Sequence, residues 1–376
     1  MECVQRTRRI ERTLLSLFAE PKKSGVAPQY LNDQTVSLLI DNGLGPIAHG
    51  LLSKQQIETS PDGIARLQSC DWTARALTSS LQRHLNDLFL TLNKSGITPV
   101  VLKGSDVAFR FYPQKHWRVM ADVDLLIEEQ QVPAAKQILL ELGFRNPSSQ
   151  PDADWDDHHH IVPLFNKAWG VWVEIHHGLF ADDYCLANHP LFDPKRCLSE
   201  ASNTQLFDAD CKVLGPQTTL AYVAAHWYRN LIGGTTGRGA QRGVLDGMFV
   251  LQKVPLDISD LCATNDALGR VLVYFLDTLS RSGLCQEQIE QAVKRPPGYR
   301  LIWALIRWHV LDMKSSSLIY TGNLAAMAFE ESLVAKNSFQ FYWNVMIGTV
   351  TVTLKAMAVH VKSLRNKLKF RRSVEN

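Results

Sequence analysis

Three acidic side chains in two apolar segments are the residues of this chain best placed for metal chemistry. Asp122 and Asp124 alternate with Val123 and Leu125 in the segment ADVDLLI. Residues i and i+2 of a strand project from the same side, so the two aspartates lie on one face. Adjacent carboxylates repel each other and are costly to desolvate, and a divalent cation between them removes both penalties. The pattern therefore predicts a metal site on this strand.

A second acidic segment, VWVEIHH, repeats this arrangement. Its valines and isoleucine alternate with Trp172, Glu174 and His176, which lie on the opposite face. If the two strands are neighbours, Glu174 adds a third carboxylate, and the set can bind two metal ions for phosphoryl transfer. Either His160 or His158, from the segment DDHHHIVPL, is expected beside Glu174. His176 either orients Glu174 or is an ordinary histidine at the edge of the strand.

The turn LKGSD predicts a phosphate site. It follows the β-branched run ITPVV and opens the predicted helix SDVAFRFY, so backbone N–H groups converge there. Gly104 lets the chain approach a phosphate closely, Ser105 can donate a hydrogen bond, and Lys103 can add positive charge. Arg118 precedes the acidic strand and is predicted to pair with a phosphate, with Asp122 as the alternative partner.

The elements around these motifs indicate three regions. Residues 1–92 have the leucine spacing of helices, and residues 216–376 are again predicted to be helical. Between them, residues 93–215 alternate strand and helix before two final strands, which indicates a small α/β domain. The expected fold class is α+β, with a mixed sheet flanked by an N-terminal helical region and a C-terminal helical domain.

Composition narrows the class of protein. The 376 residues are 45% hydrophobic and 20% charged with a net charge of +3, which does not favour nucleic acid as a partner. The cysteine count of 7 is odd and no CxxC pair occurs, so a disulfide framework or zinc ribbon is not expected. This usage predicts a cytoplasmic location. No uncharged apolar run reaches the roughly 18 residues of a membrane span, so none is predicted.

Two polar residues of the C-terminal helices have local explanations. His226 lies in the apolar segment LAYVAAHWYRN and is interpreted as a core histidine. Asp246 follows Arg242 by one helical turn, which predicts an ion pair within a single helix.

The acidic and glycine-containing segments together resemble a known superfamily. LKGSDVAFRFYPQKHWRVMADVDLLI, followed by ELGF, HHHIVPL and VWVEIHHGL, resembles the nucleotidyltransferase fold of the DNA polymerase β-like superfamily. More narrowly, it resembles a poorly characterised bacterial group with the signature LKG…YP…R…DhDLLh, where h is apolar. The resemblance implies that Gly104 and Ser105 hold a nucleoside triphosphate. It also implies that Asp122 and Asp124 bind Mg²⁺ and that Glu174 completes the triad.

The resemblance implies a Mg²⁺-dependent nucleotidyltransferase, with Mn²⁺ as the alternative ion. It would move a nucleoside monophosphate from an NTP, with ATP expected, to the hydroxyl of a small-molecule acceptor. Two alternatives stay open: nucleotidylation of a protein or peptide side chain, and a non-catalytic regulatory protein that binds nucleotides. The predicted catalytic and metal residues are Asp122, Asp124 and Glu174, and the predicted nucleotide-binding residues are Lys103, Gly104, Ser105 and Arg118.

Overall fold

A computed structural model of the chain describes residues 29–281, apart from short gaps, together with Ile289. The gaps are residues 55–56, 121, 148–154, 156–157, 182–183, 185, 207, 233–237, 255 and 264–265. Of the predicted C-terminal helical domain, the part beyond residue 281 other than Ile289 lies outside the described residues. The first 28 residues of the predicted N-terminal region also lie outside them.

Helices and strands alternate through the described residues. The helices are α1 (Asp33–Asp41), α2 (Gly45–Ser53), α3 (Pro61–Lys94), α4 (Lys103–Arg110), α5 (Val132–Glu141), α6 (Pro194–Glu200), α7 (Pro216–Ile232), α8 (Arg238–Lys253), α9 (Ser259–Ala263) and α10 (Ala267–Arg281). The strands are β1 (Gln29–Leu31), β2 (Ile57–Thr59), β3 (Val100–Leu102), β4 (Asp122–Leu126), β5 (Leu164–Asn166), β6 (Val171–His176), β7 (Ser202–Leu206) and β8 (Ala209–Val213).

Six of these strands form one mixed sheet in the order β5-β6-β4-β3-β8-β7. The pairs β4–β6 and β3–β8 are parallel, whereas β3–β4, β5–β6 and β7–β8 are antiparallel. The predicted fold class, α+β with a mixed sheet between helical regions, is confirmed. The two predicted acidic strands, β4 and β6, are neighbours in the middle of this sheet.

The two faces of the sheet belong to different hydrophobic cores. On one face, Val123, Leu125 and Val173 pack against the C-terminal half of α3 and against α5. On the other face, Leu102 and Leu126 join a larger core that includes residues of α1, α2, α7, α8 and α10. Because side chains alternate along a strand, Asp122 and Asp124 share the second face with Leu126. The acidic residues therefore project toward the helices that follow the sheet in the chain.

Two features of the fold were not predicted. The N-terminal region is not wholly helical, because β1 and β2 form a short parallel pair on either side of α1 and α2. The segment 93–215 ends in a hairpin, β7–β8, on the edge of the sheet beside β3. Its sequence, SNTQLFDADCKV, is mostly polar, and only 2 of the 5 residues of β7 are even half-buried. The outer strand β7 therefore lacks the apolar alternation that identifies a half-buried strand, whereas Ala209, Cys211 and Val213 of β8 do alternate with polar residues and are buried.

Helix α3 carries the chain from the N-terminal region to the sheet. It is 34 residues long, with Ser60 capping its first turn through a 3.0 Å hydrogen bond from Gly63 N. It ends before Gly96, whose φ of +76° is accessible to glycine without strain. Among the described helices, none is both long and apolar enough to cross a membrane.

Candidate active site

Asp124 and Glu174 are directly opposite each other on the parallel strands β4 and β6. Residues paired in this way project from the same face, so their carboxylates approach each other. Asp124 is buried and Glu174 is half-buried, whereas Asp122 lies at the exposed start of β4. The predicted adjacency of the acidic strands is confirmed, and the closest pair within it is Asp124 and Glu174.

Lys103 lies over this pair of carboxylates. Its Nζ is 2.6 Å from Asp124 Oδ1 and 3.7 Å from Glu174 Oε2. The register of β3 and β4 pairs Leu102 with Asp124, which brings the next residue, Lys103, beside the acidic strand. Lys103 has a φ of +50°, in the left-handed region that residues other than glycine rarely adopt. Backbone strain of this kind is found mainly at functional sites, where the surrounding structure holds it in place.

His176 contacts both carboxylates from the end of β6. Its Nε2 lies 2.9 Å from Asp124 Oδ1 and 3.4 Å from Glu174 Oε2, and the side chain is fully buried. One donor atom from each of Asp124, Glu174 and His176 lies within 4.8 Å of the other two. His176 was expected either to orient Glu174 or to be an ordinary edge residue. Its contact with Glu174 is the one that the first interpretation requires, and it contacts Asp124 as well.

Two further histidines surround His176. His160 forms an antiparallel bridge with His176, and their ring centroids are 5.1 Å apart. His159 was not predicted, yet it is buried with its ring 5.3 Å from that of His176. Burial, and then the charges of His176 and His160, lower the pKa of His159 to about 2. His159 is therefore neutral throughout the physiological range of pH.

The two carboxylates of β4 differ in how readily they are protonated. Burial alone would raise the pKa of Asp124, but Lys103 and His176 outweigh it and hold that pKa well below its usual range. Burial and the neighbouring charge of Asp124 raise the pKa of Asp122 above its usual value. Burial would lower the pKa of Lys103, but the charge of Asp124 and other neighbours raise it. Asp124 and Lys103 are thus a charged pair at neutral pH, and Asp122 is more easily protonated than Asp124.

The turn predicted to bind phosphate contains a buried hydroxyl without a partner. Ser105, in the first turn of α4, is 1% exposed, and its Oγ forms no hydrogen bond with any described residue. A β-carbon added at Gly104 would lie 3.2 Å from Arg118 Nη2, so the turn and the guanidinium are in close contact. Gly104 itself has no positive φ, and its lack of a side chain matters because it gives Arg118 room.

Arg118 is held by a residue that the sequence did not identify. Its Nε donates to Asp246 Oδ1 at 2.9 Å and to Oδ2 at 3.3 Å, and Tyr112 donates to the same Oδ1 at 2.7 Å. Asp246 was predicted to pair first with Arg242 of its own helix; its hydrogen-bonded partner is Arg118, although its charge also acts on Arg242. Packing of α8 against α4 brings Asp246 to Arg118, and it is 5% exposed there. No local spacing could have indicated a partner so distant in the chain.

Helix α7 lies on the same side of the sheet as the acidic residues. Tyr222 donates to Leu179 O at 3.3 Å, and the ring of His226 contacts those of Tyr222 and Phe180 at 4.6 and 5.1 Å. Burial, and then the charges of Lys103 and Arg229, lower the pKa of His226 well below its usual value. His226 is packed among aromatic rings, as a core histidine would be, but it is also close enough to respond to Lys103.

A buried ion pair fixes α4 against α7. Arg110 donates through Nη2 to Asp106 Oδ2 at 2.6 Å and to Thr219 Oγ1 at 2.9 Å, and its Nε also donates to Asp106. Asp106 is 2% exposed. The spacing of one helical turn between Asp106 and Arg110 was a usable signal in the sequence. Its partner Thr219, on another helix, was not. The contact orients the start of α4, where Ser105 lies.

Two comparisons with known proteins found similarity to this chain. The sequence profile of a family described as "Uncharacterised nucleotidyltransferase" matches residues 32–275, from the residue before α1 to the middle of α10. The crystal structure of an antigenic nucleotidyltransferase-like protein from Paracoccidioides brasiliensis is similar to 57% of this chain and 94% of that chain, at 15% identity and a TM-score of 0.38. No curated protein matches the sequence significantly.

Proposed function

Because the chain belongs to the uncharacterised nucleotidyltransferase family, we propose that it transfers a nucleoside monophosphate from an NTP to an acceptor hydroxyl, with pyrophosphate leaving. ATP is the expected donor, and a small molecule is the expected acceptor. The observation that carries the proposal is the placement of Asp124 opposite Glu174, with Lys103 contacting both. This places positive charge and acidic side chains together, next to the turn that holds Ser105.

Asp122, Asp124 and Glu174 would hold the divalent cation, either Mg²⁺ or Mn²⁺. Carboxylate oxygens are the donors that such ions prefer, so these three side chains suit a divalent cation. The lowered pKa of Asp124 keeps a buried carboxylate charged at neutral pH, which supports a role in binding a cation. When bound, the ion supplies positive charge that stabilises the oxygens of the reacting phosphoryl group.

The turn at the start of α4 would bind the triphosphate. The Ser105 hydroxyl donates to a β- or γ-phosphate oxygen, and the backbone N–H groups at this helix end favour an anion. Asp246 holds Arg118 through Nε, so its Nη2 is positioned beside Gly104 before the substrate arrives. A guanidinium oriented in advance loses less freedom when the phosphates bind.

In the transfer itself, the acceptor oxygen bonds to the α-phosphorus while the bond to the bridging pyrophosphate oxygen breaks. The hydroxyl proton passes to the carboxylate of Glu174. That side chain is 22% exposed, so the proton can leave to solvent. Contact with His176 Nε2 at 3.4 Å orients Glu174 for this step. Lys103 contributes positive charge between the acidic strand and the phosphates.

The proposal is tested with the full-length protein, each NTP labelled in its α-phosphate, a mixture of hydroxyl-bearing metabolites, and Mg²⁺ or Mn²⁺. Pyrophosphate release and label on the protein are both measured. We expect the wild type to release pyrophosphate and Asp124→Asn to release none. The control is Asp87→Asn, which changes an exposed aspartate of α3 and should release pyrophosphate like the wild type. Label on the protein itself would make a side chain the acceptor. Nucleotide binding without pyrophosphate release under any condition would replace transfer with a regulatory role.

A further inference from the structure

His176 is placed as an additional donor to the cation site. It belongs to β6, whose register with β4 puts Glu174 opposite Asp124. Its Nε2 approaches both of these carboxylates, at 2.9 and 3.4 Å, and the ring is 0% exposed. Asp122, in contrast, lies at the exposed start of β4 and is not part of the compact group of three donors. The most tightly grouped donors are therefore two oxygens and one nitrogen.

The second nitrogen of the ring faces the protein backbone. His176 Nδ1 lies 3.3 Å from the carbonyl oxygen of Gly178. A carbonyl oxygen can only accept a hydrogen bond, so Nδ1 carries the proton in this contact. The carboxylate oxygens that face Nε2 also accept only, so Nε2 donates to them while no cation is present, and a bound cation would take the place of that proton. A histidine bound to a metal usually has this arrangement, with its other N–H donated to a carbonyl or carboxylate.

The spacing of the three donors suits a single ion. Neighbouring ligands around an octahedral ion with bonds of about 2.1 Å are about 3 Å apart. His176 Nε2 is 2.9 Å from Asp124 Oδ1 and 3.4 Å from Glu174 Oε2, close to that value. The Lys103 ammonium also lies against Asp124 Oδ1, at 2.6 Å. A positive charge is therefore already accommodated where these donors converge.

We propose that His176 is a direct ligand of the divalent cation, and that the site binds a first-row transition ion such as Mn²⁺ in preference to Mg²⁺. Imidazole nitrogen favours transition ions, whereas Mg²⁺ is bound almost entirely by oxygen. The use of the ion rests on the proposed nucleotidyl transfer, but the ligand set does not. Mg²⁺ can still bind through the carboxylates, with a lower affinity than Mn²⁺.

The test is pulsed electron paramagnetic resonance of Mn²⁺ bound to the full-length protein, which detects nitrogen coordinated to the ion. The wild type and His160→Gln should both give a nitrogen coupling, and His176→Gln should lose it. The His160 ring is next to that of His176, so this control excludes a signal from the neighbouring imidazole. Removal of a direct ligand should weaken Mn²⁺ binding by at least about 10- to 100-fold and change Mg²⁺ binding much less.

Labelling supplies a second test that needs no substitution. Wild-type protein made with ¹⁵N-histidine should show a changed coupling, which keeps the inference testable even if His176→Gln does not fold. Mn²⁺ bound without any histidine nitrogen coupling would overturn the inference, as would equal affinities for Mn²⁺ and Mg²⁺. Neither result affects the proposed transfer, because pyrophosphate release measured on the same protein decides that question separately.

Discussion

Lys103 and Asp124 form an ion pair between the end of β3 and the middle of β4, with 2.6 Å between Nζ and Oδ1. The pair joins the turn proposed to bind phosphate to the strand proposed to bind the cation. A cation that enters must therefore share or displace the charge of Lys103. The lysine is positioned to respond both to the cation and to the phosphates of the NTP.

Replacement of this lysine should separate the two binding events. In Lys103→Met, Mn²⁺ should bind about tenfold more tightly or more, because the carboxylates lose a competing positive charge. NTP should bind more weakly, because the same charge no longer attracts phosphate. Calorimetry with each ligand alone measures both affinities. Lys167→Met, an exposed change in the turn before β6, should alter neither affinity. Weaker binding of both ligands would mean that Lys103 is structural.

The two aspartates of β4 should have opposite effects on stability. Asp122→Asn removes a carboxylate that is repelled by Asp124, so the metal-free protein should unfold at a higher temperature. Asp124→Asn removes the partner of Lys103 and His176, so it should unfold at a lower temperature. Both should abolish transfer. Thermal unfolding at neutral pH without divalent cations, beside the pyrophosphate assay, measures the contrast.

The pH dependence of these differences follows from the pKa shifts. The raised pKa of Asp122 means that wild-type stability falls as pH rises from about 3.9, the unfolded value, through the folded value. The lowered pKa of Asp124 adds stability above about 3.9 that is lost as pH falls toward its folded value. Both differences between variant and wild type should therefore shrink at acid pH. Shifts of the same sign for both variants would contradict the assignment of charge states.

Ser105 offers a test in which binding and stability separate. Its hydroxyl is buried without a partner among the described residues, so Ser105→Ala should leave the free energy of unfolding nearly unchanged. NTP affinity should fall by about 1.5–3 kcal/mol, the strength of a hydrogen bond to a charged group. Nucleoside affinity should stay the same. Denaturant unfolding and calorimetry with NTP, NMP and nucleoside are the measurements.

Gly104→Ala extends the same comparison to the neighbouring position. The new β-carbon would lie 3.2 Å from Arg118 Nη2 and push the guanidinium away from the turn. NTP affinity should therefore fall more than in Ser105→Ala, again without a loss for the nucleoside. An equal loss for all three ligands in either variant would show that this turn does not bind the phosphates.

The anchor of Arg118 can be removed without changing the acidic strands. Asp246→Asn leaves the half-buried Arg118 without its charged partner, which should cost about 3 kcal/mol of stability, the lower end of the range for a buried pair. NTP affinity should fall as well, because the guanidinium loses its orientation. Tyr112→Phe is the matched control, since it removes only the 2.7 Å hydrogen bond to Asp246 and keeps the ion pair. For Tyr112→Phe, urea unfolding should show a loss of about 1 kcal/mol of stability, and titration with NTP should show an unchanged affinity.

The local features of the fold could be predicted because they are encoded within a few residues. The alternation in β4 and β6 identified both strands and the shared face of their acidic residues. Gly96 and Gly143 were recognised as helix ends, and both have the positive φ that such an end requires. The sequence also placed Ser105 at the start of a helix. Each of these inferences depended only on neighbours in the chain.

The relationships between elements could not be predicted in the same way. The outer strand β7 is too polar to have an amphipathic signature, and the place of the β7–β8 hairpin beside β3 is set by the sheet as a whole. His176 and Asp122 lie on the same face of adjacent strands, but only His176 belongs to the compact group of three donors. The difference is that His176 is buried and Asp122 is exposed, and burial is set by the packing of the whole fold. The pairing of Arg118 with Asp246 results from packing of α8, for which one sequence offers no signal.

The distance along the chain between these partners has a consequence for biosynthesis. Arg118 and Asp246 are separated by 128 residues, and Asp106 and Thr219 by 113. Contacts between distant residues form late, because a long loop must close first. A growing polypeptide on the ribosome can thus form β3 and β4 well before Arg118 has its counter-ion. We expect translation products that stop before α8 to contain the acidic strands but to bind nucleotide poorly, so the capacity for transfer would be acquired only near the end of synthesis of the described residues.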